Sequence, residues 1–263
     1  MNNKISENKI GIMGAGNIGQ SLIIKLLENG YPEENIKLTY RGSIFTFEKI
    51  YDNNLVDMIS DNSRIVEESD IIVLSVPPQS FKQIGEFGLD ENKLVISFMA
   101  GIPVDDIKKQ TGSDNVVRIM PTGPDTILNS NAIAGVYPSN DTVCELMDLL
   151  DIDYYVLDNE NDMKYMTIIG CLPAVYCNYD YESDENKEAV RRLSQEFPLF
   201  DKLSYKASLL VPTENKDEFI KKVSTPGGVT QKILLSLESG KSMYDSFIIA
   251  LDYADKLKDI IFV

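Results

Sequence analysis

Hydrophobic residues in the first part of the chain fall into short runs, and the stretches between them have a helical spacing of apolar positions. The runs at 71–76, 94–99 and 116–120 are almost wholly apolar, which is typical of strands buried on both faces of a parallel sheet. Helical stretches lie at 64–70 and 104–110. Strands that alternate with helices predict a doubly wound α/β sheet.

The predicted sheet extends to about residue 157. Further strands are expected at 35–40, 132–137 and 154–157, with a helix at 142–150. Each predicted strand of the central sheet ends in a turn rich in Pro, Gly, Ser or Thr. Such turns line the crevice in which open α/β sheets bind ligands.

The remainder of the chain has a helical pattern. A long helix begins after the acidic segment 158–162, polar connections are expected at 178–187 and 213–216, and a last helix follows. That helix carries an apolar stripe, which suits a core or a subunit interface. The stripe consists of Tyr244, Phe247, Ile248, Leu251 and Ala254. We therefore predict a sheet domain over residues 1–157 and an all-helical domain over residues 158–263.

A glycine motif joins the first strand to the first helix. The residues are Gly14-Ala15-Gly16-Asn17-Ile18-Gly19, directly after an apolar strand. In a dinucleotide site the first glycine permits the sharp turn, the second lets the backbone approach the pyrophosphate, and the third allows close helix packing. The helix start offers N–H groups to the phosphates. A loop that merely contains glycines is the alternative, but the strand before and the helix after favour an N-terminal Rossmann-type domain.

Arg41 and Ser43 follow the second predicted strand, where NAD-binding domains usually place an acidic residue for the ribose hydroxyls. A guanidinium and a hydroxyl suit the 2′-phosphate of NADPH, which a carboxylate would repel. The alternative is that Arg41 is an ordinary surface cation. The pattern favours NADPH over NADH.

Composition excludes several kinds of chemistry. The 263-residue chain contains no histidine, so catalysis by imidazole and metal sites built on imidazole are both excluded. The three cysteines, Cys144, Cys171 and Cys177, show no C-x-x-C spacing. An odd number without that spacing argues against a disulfide framework and a zinc site, and buried free thiols are the simpler interpretation.

Charge and hydropathy bear on partners and location. The net charge is −16, which disfavours binding to nucleic acid. No apolar run approaches the roughly 20 residues needed to cross a bilayer. The first residues lack the apolar core of a secretion signal. We therefore expect a cytoplasmic protein that binds a small molecule and neither membrane nor nucleic acid.

A second glycine turn, Ser224-Thr225-Pro226-Gly227-Gly228-Val229-Thr230, precedes the last predicted helices. Thr225 is a good N-cap and Pro226 a good first helical residue, so an ordinary helix start is one interpretation. The other is a carboxylate site, because two glycines leave the first N–H groups of the helix open to an anion.

With these motifs placed, the chain resembles the pyrroline-5-carboxylate reductase family, which reduces a cyclic imine to proline with NAD(P)H. The similarity runs nearly end to end, and the second glycine turn is its most specific part. The remaining matching segments are Gly14 to Gly19, Val76-Pro77-Pro78-Gln79, Ser97 to Ile102, Val117 to Pro124 and Gly170 to Ala174.

The resemblance implies roles for individual residues. Thr230 would be the hydroxyl at the imine nitrogen, and Thr225, Gly227, Gly228 and Val229 would hold the substrate carboxylate. The cofactor would contact Gly14, Gly16, Asn17, Ile18, Gly19, Arg41, Ser43, Val76, Pro77, Ala100 and Gly101. An imine nitrogen is basic enough to arrive protonated, or nearly so, and the missing histidine fits this chemistry. The C-terminal helices would form a homodimer, in which the second turn could serve the cofactor of the partner.

Four positions depart from the family motifs, namely Pro77, Thr122, Gly123 and Cys171. Two alternatives therefore stay open. A 3-hydroxyacid dehydrogenase would use a lysine with an asparagine one helical turn onward, but Lys164 is followed at that spacing by Ile168. A non-catalytic NADP-binding scaffold is the other, because a fold alone does not secure a function.

Overall fold

The computed structural model describes residues 4–84, 88–224 and 227–261. In the described residues, the strands are β1 (Ile10–Met13), β2 (Ile36–Thr39), β3 (Ile71–Leu74), β4 (Leu94–Ser97), β5 (Val116–Pro121), β6 (Ile133–Tyr137) and β7 (Asp153–Val156). The α-helices among these strands are α1 (Asn17–Glu28), α2 (Ile44–Asp52), α3 (Asn62–Glu68), α4 (Val104–Thr111), α5 (Pro124–Leu128) and α6 (Asp141–Leu149). The later helices are α7 (Met163–Asn178), α8 (Asp184–Leu193), α9 (Phe200–Ser208), α10 (Lys216–Val223), α11 (Val229–Glu238) and α12 (Met243–Ile261).

All seven strands form one sheet in the order β2-β1-β3-β4-β5-β6-β7. The first five are parallel, so the predicted Rossmann-type sheet is confirmed. Strand β2 lies on one side of β1 and β3 lies on the other. Because the connections after β1 and β2 therefore lead to opposite sides of β1, a crevice opens at the carboxyl ends of the strands.

The strand direction reverses at β6, which the hydrophobic pattern does not reveal. β6 pairs antiparallel with β5 and parallel with β7. A strand that is buried on both faces is apolar whichever way it runs. Only the pairing of the folded chain therefore shows this reversal.

Three helices differ from the expectation, and α5 is one of them, because no element was predicted at 124–128. Helix α2 lies in a stretch for which no element was predicted, and its N-cap Ser43 accepts a hydrogen bond from the Thr46 N–H at 3.4 Å. Helix α8 begins at Asp184, inside the stretch 178–187 that was expected to be a polar connection, so that expectation was wrong from 184 onward. Ser183 caps α8 through the Asn186 N–H at 3.2 Å. Few residues of α8 are apolar, but they lie on one face, and Ala189, Val190 and Leu193 are buried there.

The C-terminal region is helical, as predicted, and α7 packs it against the sheet. Eleven of the sixteen residues of α7 are buried. A Cβ on Gly135 of β6 would lie 2.5 Å from Met166 of this helix, so the two elements approach closely. Within the described ranges, no helix combines the length and the apolar character that crossing a bilayer requires.

A buried ion pair ties the segment before α7 to the sheet. Glu160 accepts a hydrogen bond from Arg118 Nη1 of β5 at 2.7 Å and another from the Val104 N–H at the start of α4 at 2.8 Å. The Arg118 side chain is only 8% exposed. Because one carboxylate contacts both elements, it holds the first turn of α4 beside β5.

Candidate functional site

A cleft of about 640 Å³ opens at the carboxyl ends of β1, β2 and β3. Its walls come from four separate segments of chain, at 13–16, 39–46, 60–62 and 75–80. The cleft brings together six of the residues predicted to bind cofactor. They are Gly14, Gly16, Arg41, Ser43, Val76 and Pro77.

The geometry around the three glycines fits a dinucleotide. Gly14 has φ +105°, and a Cβ there would lie 2.8 Å from the Val76 nitrogen. A Cβ on Gly19 would lie 2.3 Å from the Gly14 carbonyl oxygen, so this glycine permits the close packing of α1. Around Gly16, no heavy atom of the described residues lies within 4 Å of the place that a Cβ would occupy, which leaves room for a pyrophosphate against the backbone.

We expect alanine at Gly19 and at Gly16 to have opposite consequences. Gly19→Ala should lower the free energy of unfolding by about 1–3 kcal/mol, because its methyl group would overlap the Gly14 carbonyl. Gly16→Ala should cost less than about 1 kcal/mol, the scale of a change at a helix N-cap, but should weaken NADPH binding. Denaturant unfolding and NADPH titration measure the two effects. Equal stability of the two variants would contradict this account of the turn.

Asn17 and Ile18 lie beside the cleft and not in its wall. Asn17 begins α1, and its Oδ1 accepts a hydrogen bond from Lys49 Nζ at 2.9 Å. Ile18 is half-buried and packs against the core. Gly16 is the N-cap of α1 and provides no side-chain cap. An anion can therefore reach the first N–H groups of this helix.

Arg41 and Ser43 are exposed on the loop between β2 and α2. Ser43 also caps α2, so its hydroxyl has a structural role in addition to the one predicted. Helix α2 brings Thr46 into the cleft wall and Lys49 to the start of α1. The sequence interpretation missed both. An N-cap serine followed by apolar residues at helical spacing was the available signal.

Ser75 is another residue that the sequence interpretation missed. It follows β3, and its hydroxyl donates a hydrogen bond to the Gly14 carbonyl at 2.7 Å. Asp61 also lines the cleft, where it caps α3 by accepting from the Arg64 N–H at 2.9 Å. Neither belongs to a motif that marks nucleotide sites.

Ala100 and Gly101 line a different, smaller cavity of about 110 Å³ between the sheet and the helical region. Its wall includes Arg118, Glu160 and Lys164. Lys164 Nζ lies 3.1 Å from Asp255 Oδ2 of α12. The residue one turn after Lys164, Ile168, is fully buried in the apolar core. The polar partner that a catalytic lysine would need is therefore missing at that position.

The second glycine turn leads into α11. Thr225 and Pro226 lie outside the described residues. Gly228 is the N-cap of α11, and Val229 and Thr230 form its first turn. The two described cavities above contain none of these residues in their walls. Neither of these two cavity walls therefore combines the described substrate residues with the predicted cofactor residues.

The N–H and the carbonyl of Gly227 are both hydrogen-bonded to side chains. Its N–H donates to Gln231 Oε1 at 2.8 Å, and its carbonyl accepts from the Tyr253 hydroxyl of α12 at 2.7 Å. The Gly227 N–H was expected to face a substrate carboxylate. It is instead bound by the side chain of Gln231 in α11. Gln231 has to move if this N–H is to bind a ligand.

Thr230 is buried against α7. Its hydroxyl donates a hydrogen bond to Cys171 Sγ at 3.2 Å, and Cys171 in turn donates to the Thr167 carbonyl at 3.2 Å. Burial raises the pKa of the Cys171 thiol to about 11, and the hydrogen bond from Thr230 opposes part of that increase. The thiol is therefore protonated at neutral pH.

Comparison with known proteins agrees with this architecture. Residues 9–101 match the family model described as NADP oxidoreductase, coenzyme F420-dependent. The pyrroline-5-carboxylate reductase of Pseudomonas aeruginosa is 27% identical over 250 residues, which cover 89% of this chain and 90% of that protein. The enzyme of that name from Arabidopsis thaliana is 30% identical over 119 residues, and this alignment spans 43% of that protein and 44% of this chain.

A solved structure covers almost the whole chain. The pyrroline carboxylate reductase of Plasmodium falciparum, determined with NADP bound, superposes with a TM-score of 0.58 at 20% identity. The superposition covers 98% of this chain and 99% of that one. At this level of identity the superposition establishes the fold.

The glycine turn in a parallel sheet, followed by a helical region, is the architecture of NAD(P)-dependent oxidoreductases of the Rossmann type, and this chain is one of them. Within that class, the relatives and the solved structure named above are pyrroline-5-carboxylate reductases, so the resemblance found in the sequence is confirmed.

Proposed function

We propose that this protein reduces 1-pyrroline-5-carboxylate to L-proline with NADPH. The observation that carries the proposal is the alignment of 89% of the chain with a pyrroline-5-carboxylate reductase. The cleft supports it, because Gly14, Gly16 and Arg41 share its wall, and glycines with a nearby guanidinium suit a dinucleotide that carries a 2′-phosphate.

Bound NADPH supplies the hydride, and the protein binds and orients the two reactants. We assign the pyrophosphate to Gly14, Gly16, Asn17, Ile18 and Gly19, where backbone N–H groups and the start of α1 favour an anion. Arg41 and Ser43 would hold the 2′-phosphate. Val76, Pro77, Ala100 and Gly101 would border the nicotinamide.

At the substrate, Thr230 would contact the imine nitrogen, and the turn that includes Thr225, Gly227, Gly228 and Val229 would hold the carboxylate. No strong acid is required, because the imine nitrogen arrives protonated and the reaction depends mainly on orientation. This proposal agrees with a chain that has no histidine.

That neither cavity wall includes the described residues of the second glycine turn supports a dimer. We propose that residues 1–157 form the NADP-binding domain and that residues 158–263 form a substrate and dimerisation domain. The C-terminal helices of two copies would then bring the turn of one copy to the cofactor cleft of the other. Large apolar side chains such as Leu209 and Leu235 are 65% and 54% exposed on the helical region, which suits such an interface. We further propose a cytoplasmic location.

The test is the oxidation of NADPH by the full-length protein on addition of 1-pyrroline-5-carboxylate, followed by its absorbance, with L-proline identified as product. Lys164→Ala is the matched control and should retain the activity. Turnover of a 3-hydroxy acid that Lys164→Ala abolishes would instead support the dehydrogenase alternative. NADPH binding without turnover of either substrate would support the scaffold.

A further inference from the structure

The contact between Thr230 and Cys171 joins two helices that are far apart in sequence. Both residues are buried, with 9% and 5% of their surface exposed. The Thr230 hydroxyl donates to the sulfur at 3.2 Å, and the thiol donates to the Thr167 carbonyl at 3.2 Å. Each proton in this chain of hydrogen bonds therefore has a defined acceptor.

A count of protons restricts what Thr230 can do. A threonine hydroxyl has one proton to donate and two lone pairs that accept. Because the proton is directed to Cys171, the oxygen can only accept a hydrogen bond from a further partner. A neutral imine nitrogen has a lone pair and no N–H, whereas a protonated imine has an N–H to donate.

We propose that Cys171 is a positioning residue that fixes the Thr230 hydroxyl as a hydrogen-bond acceptor, so that the site selects the protonated form of a cyclic imine. The inference rests on the proposed function. The iminium N–H donates to Thr230 Oγ1 while hydride adds to the ring carbon. The π electrons of the C=N bond move to nitrogen, which becomes a neutral amine and keeps its proton. The protein therefore neither gives a proton to the substrate nor takes one from it in this step.

This assignment agrees with the composition of the chain. A site that binds the imine in its protonated form needs no general acid. It needs a hydrogen-bond acceptor beside the imine nitrogen instead. Sulfur is a weak acceptor and the thiol a weak donor. Cys171 can therefore orient the threonine proton without competing strongly for the oxygen lone pairs.

The hydrogen bond itself can be tested by spectroscopy, independently of the rate of imine reduction. Infrared spectroscopy of the protein should show the S–H stretching band of Cys171, assigned by its loss in Cys171→Ala. Thr230→Val should shift this band, because it removes the donor to the sulfur. Saturating L-proline with NADP should leave the band in place, because Thr230 keeps donating to Cys171. A band that L-proline shifts as far as Thr230→Val does would overturn the acceptor role.

A double-mutant cycle in kcat/KM tests the consequence for the reaction. A neutral hydrogen bond is worth about 0.5–1.5 kcal/mol, so Cys171→Ala should lower kcat/KM for the imine about two- to twelvefold with an unchanged KM for NADPH. Cys171→Ser should restore most of the loss. In a Thr230→Val background, Cys171→Ala should have no further effect.

The matched control is Cys177→Ala. Cys177 lies on the same helix and donates a similar hydrogen bond, to the Pro173 carbonyl at 3.3 Å. This variant should keep full activity. Additive losses in the cycle would mean that Cys171 acts only through packing, and the inference would be wrong. If the unaltered protein binds NADPH but reduces no imine, it is the proposed function that fails.

Discussion

Replacing Arg41 by alanine should raise KM for NADPH about ten- to a hundredfold and leave KM for NADH nearly unchanged. Hydrogen bonds between a guanidinium and a phosphate are charge-assisted and contribute about 1.5–3 kcal/mol, which corresponds to that range. Arg41 lies in the wall of the cleft on the loop after β2. Only NADPH carries the phosphate that it would contact.

Initial rates with each cofactor at saturating imine measure this effect. Lys109→Ala is the control, because that lysine is an exposed cation on α4, paired with Asp106, and its replacement removes the same charge away from the cleft. A variant of Arg41 that loses affinity equally for NADH and NADPH would contradict the assignment of the 2′-phosphate.

Thr230→Val should lower kcat for the imine about ten- to a hundredfold while NADPH binds as before. Valine has nearly the volume of threonine but cannot bond to a charged nitrogen, and a hydrogen bond to a charged group is worth about 1.5–3 kcal/mol. Thr230 is buried at the start of α11. The loss should therefore appear in turnover and not in binding of the cofactor.

Single-turnover kinetics and NADPH titration separate the two quantities. Thr230→Ser keeps the hydroxyl and should retain most of the rate, which controls for damage to the helix start. If Thr230→Val turns over at the rate of the unaltered protein, Thr230 has no role at the imine nitrogen.

The parts of the molecule that could be predicted depend on short stretches of chain. The glycine turn was recognisable because its three glycines, the strand before and the helix after all lie close together in sequence. Buried strands were recognisable from apolar runs. Arg41 could be selected because its distance from the glycines is constrained by one βαβ unit.

The rest depends on contacts between distant residues. The Thr230 to Cys171 hydrogen bond joins positions 59 residues apart in sequence, and nothing local to either position indicates it. The role of Gln231 could not be predicted for another reason. A glutamine in the first turn of a helix is common, and its hydrogen bond to the Gly227 N–H depends on the conformation of its side chain. The reversal at β6 concerns strand direction, to which hydropathy is insensitive.

The hydrogen bond from Tyr253 to Gly227 has a consequence for the order in which the protein assembles. Strands β1 to β5 and the glycine turn at 14–19 leave the ribosome first, and folding during synthesis generally proceeds from the N-terminal side. The Gly227 carbonyl acquires its partner only after residue 253 has been made and α12 has docked. The cofactor cleft of a nascent chain would thus form before its second glycine turn. The ability to bind and reduce the substrate would be the last property that the chain acquires.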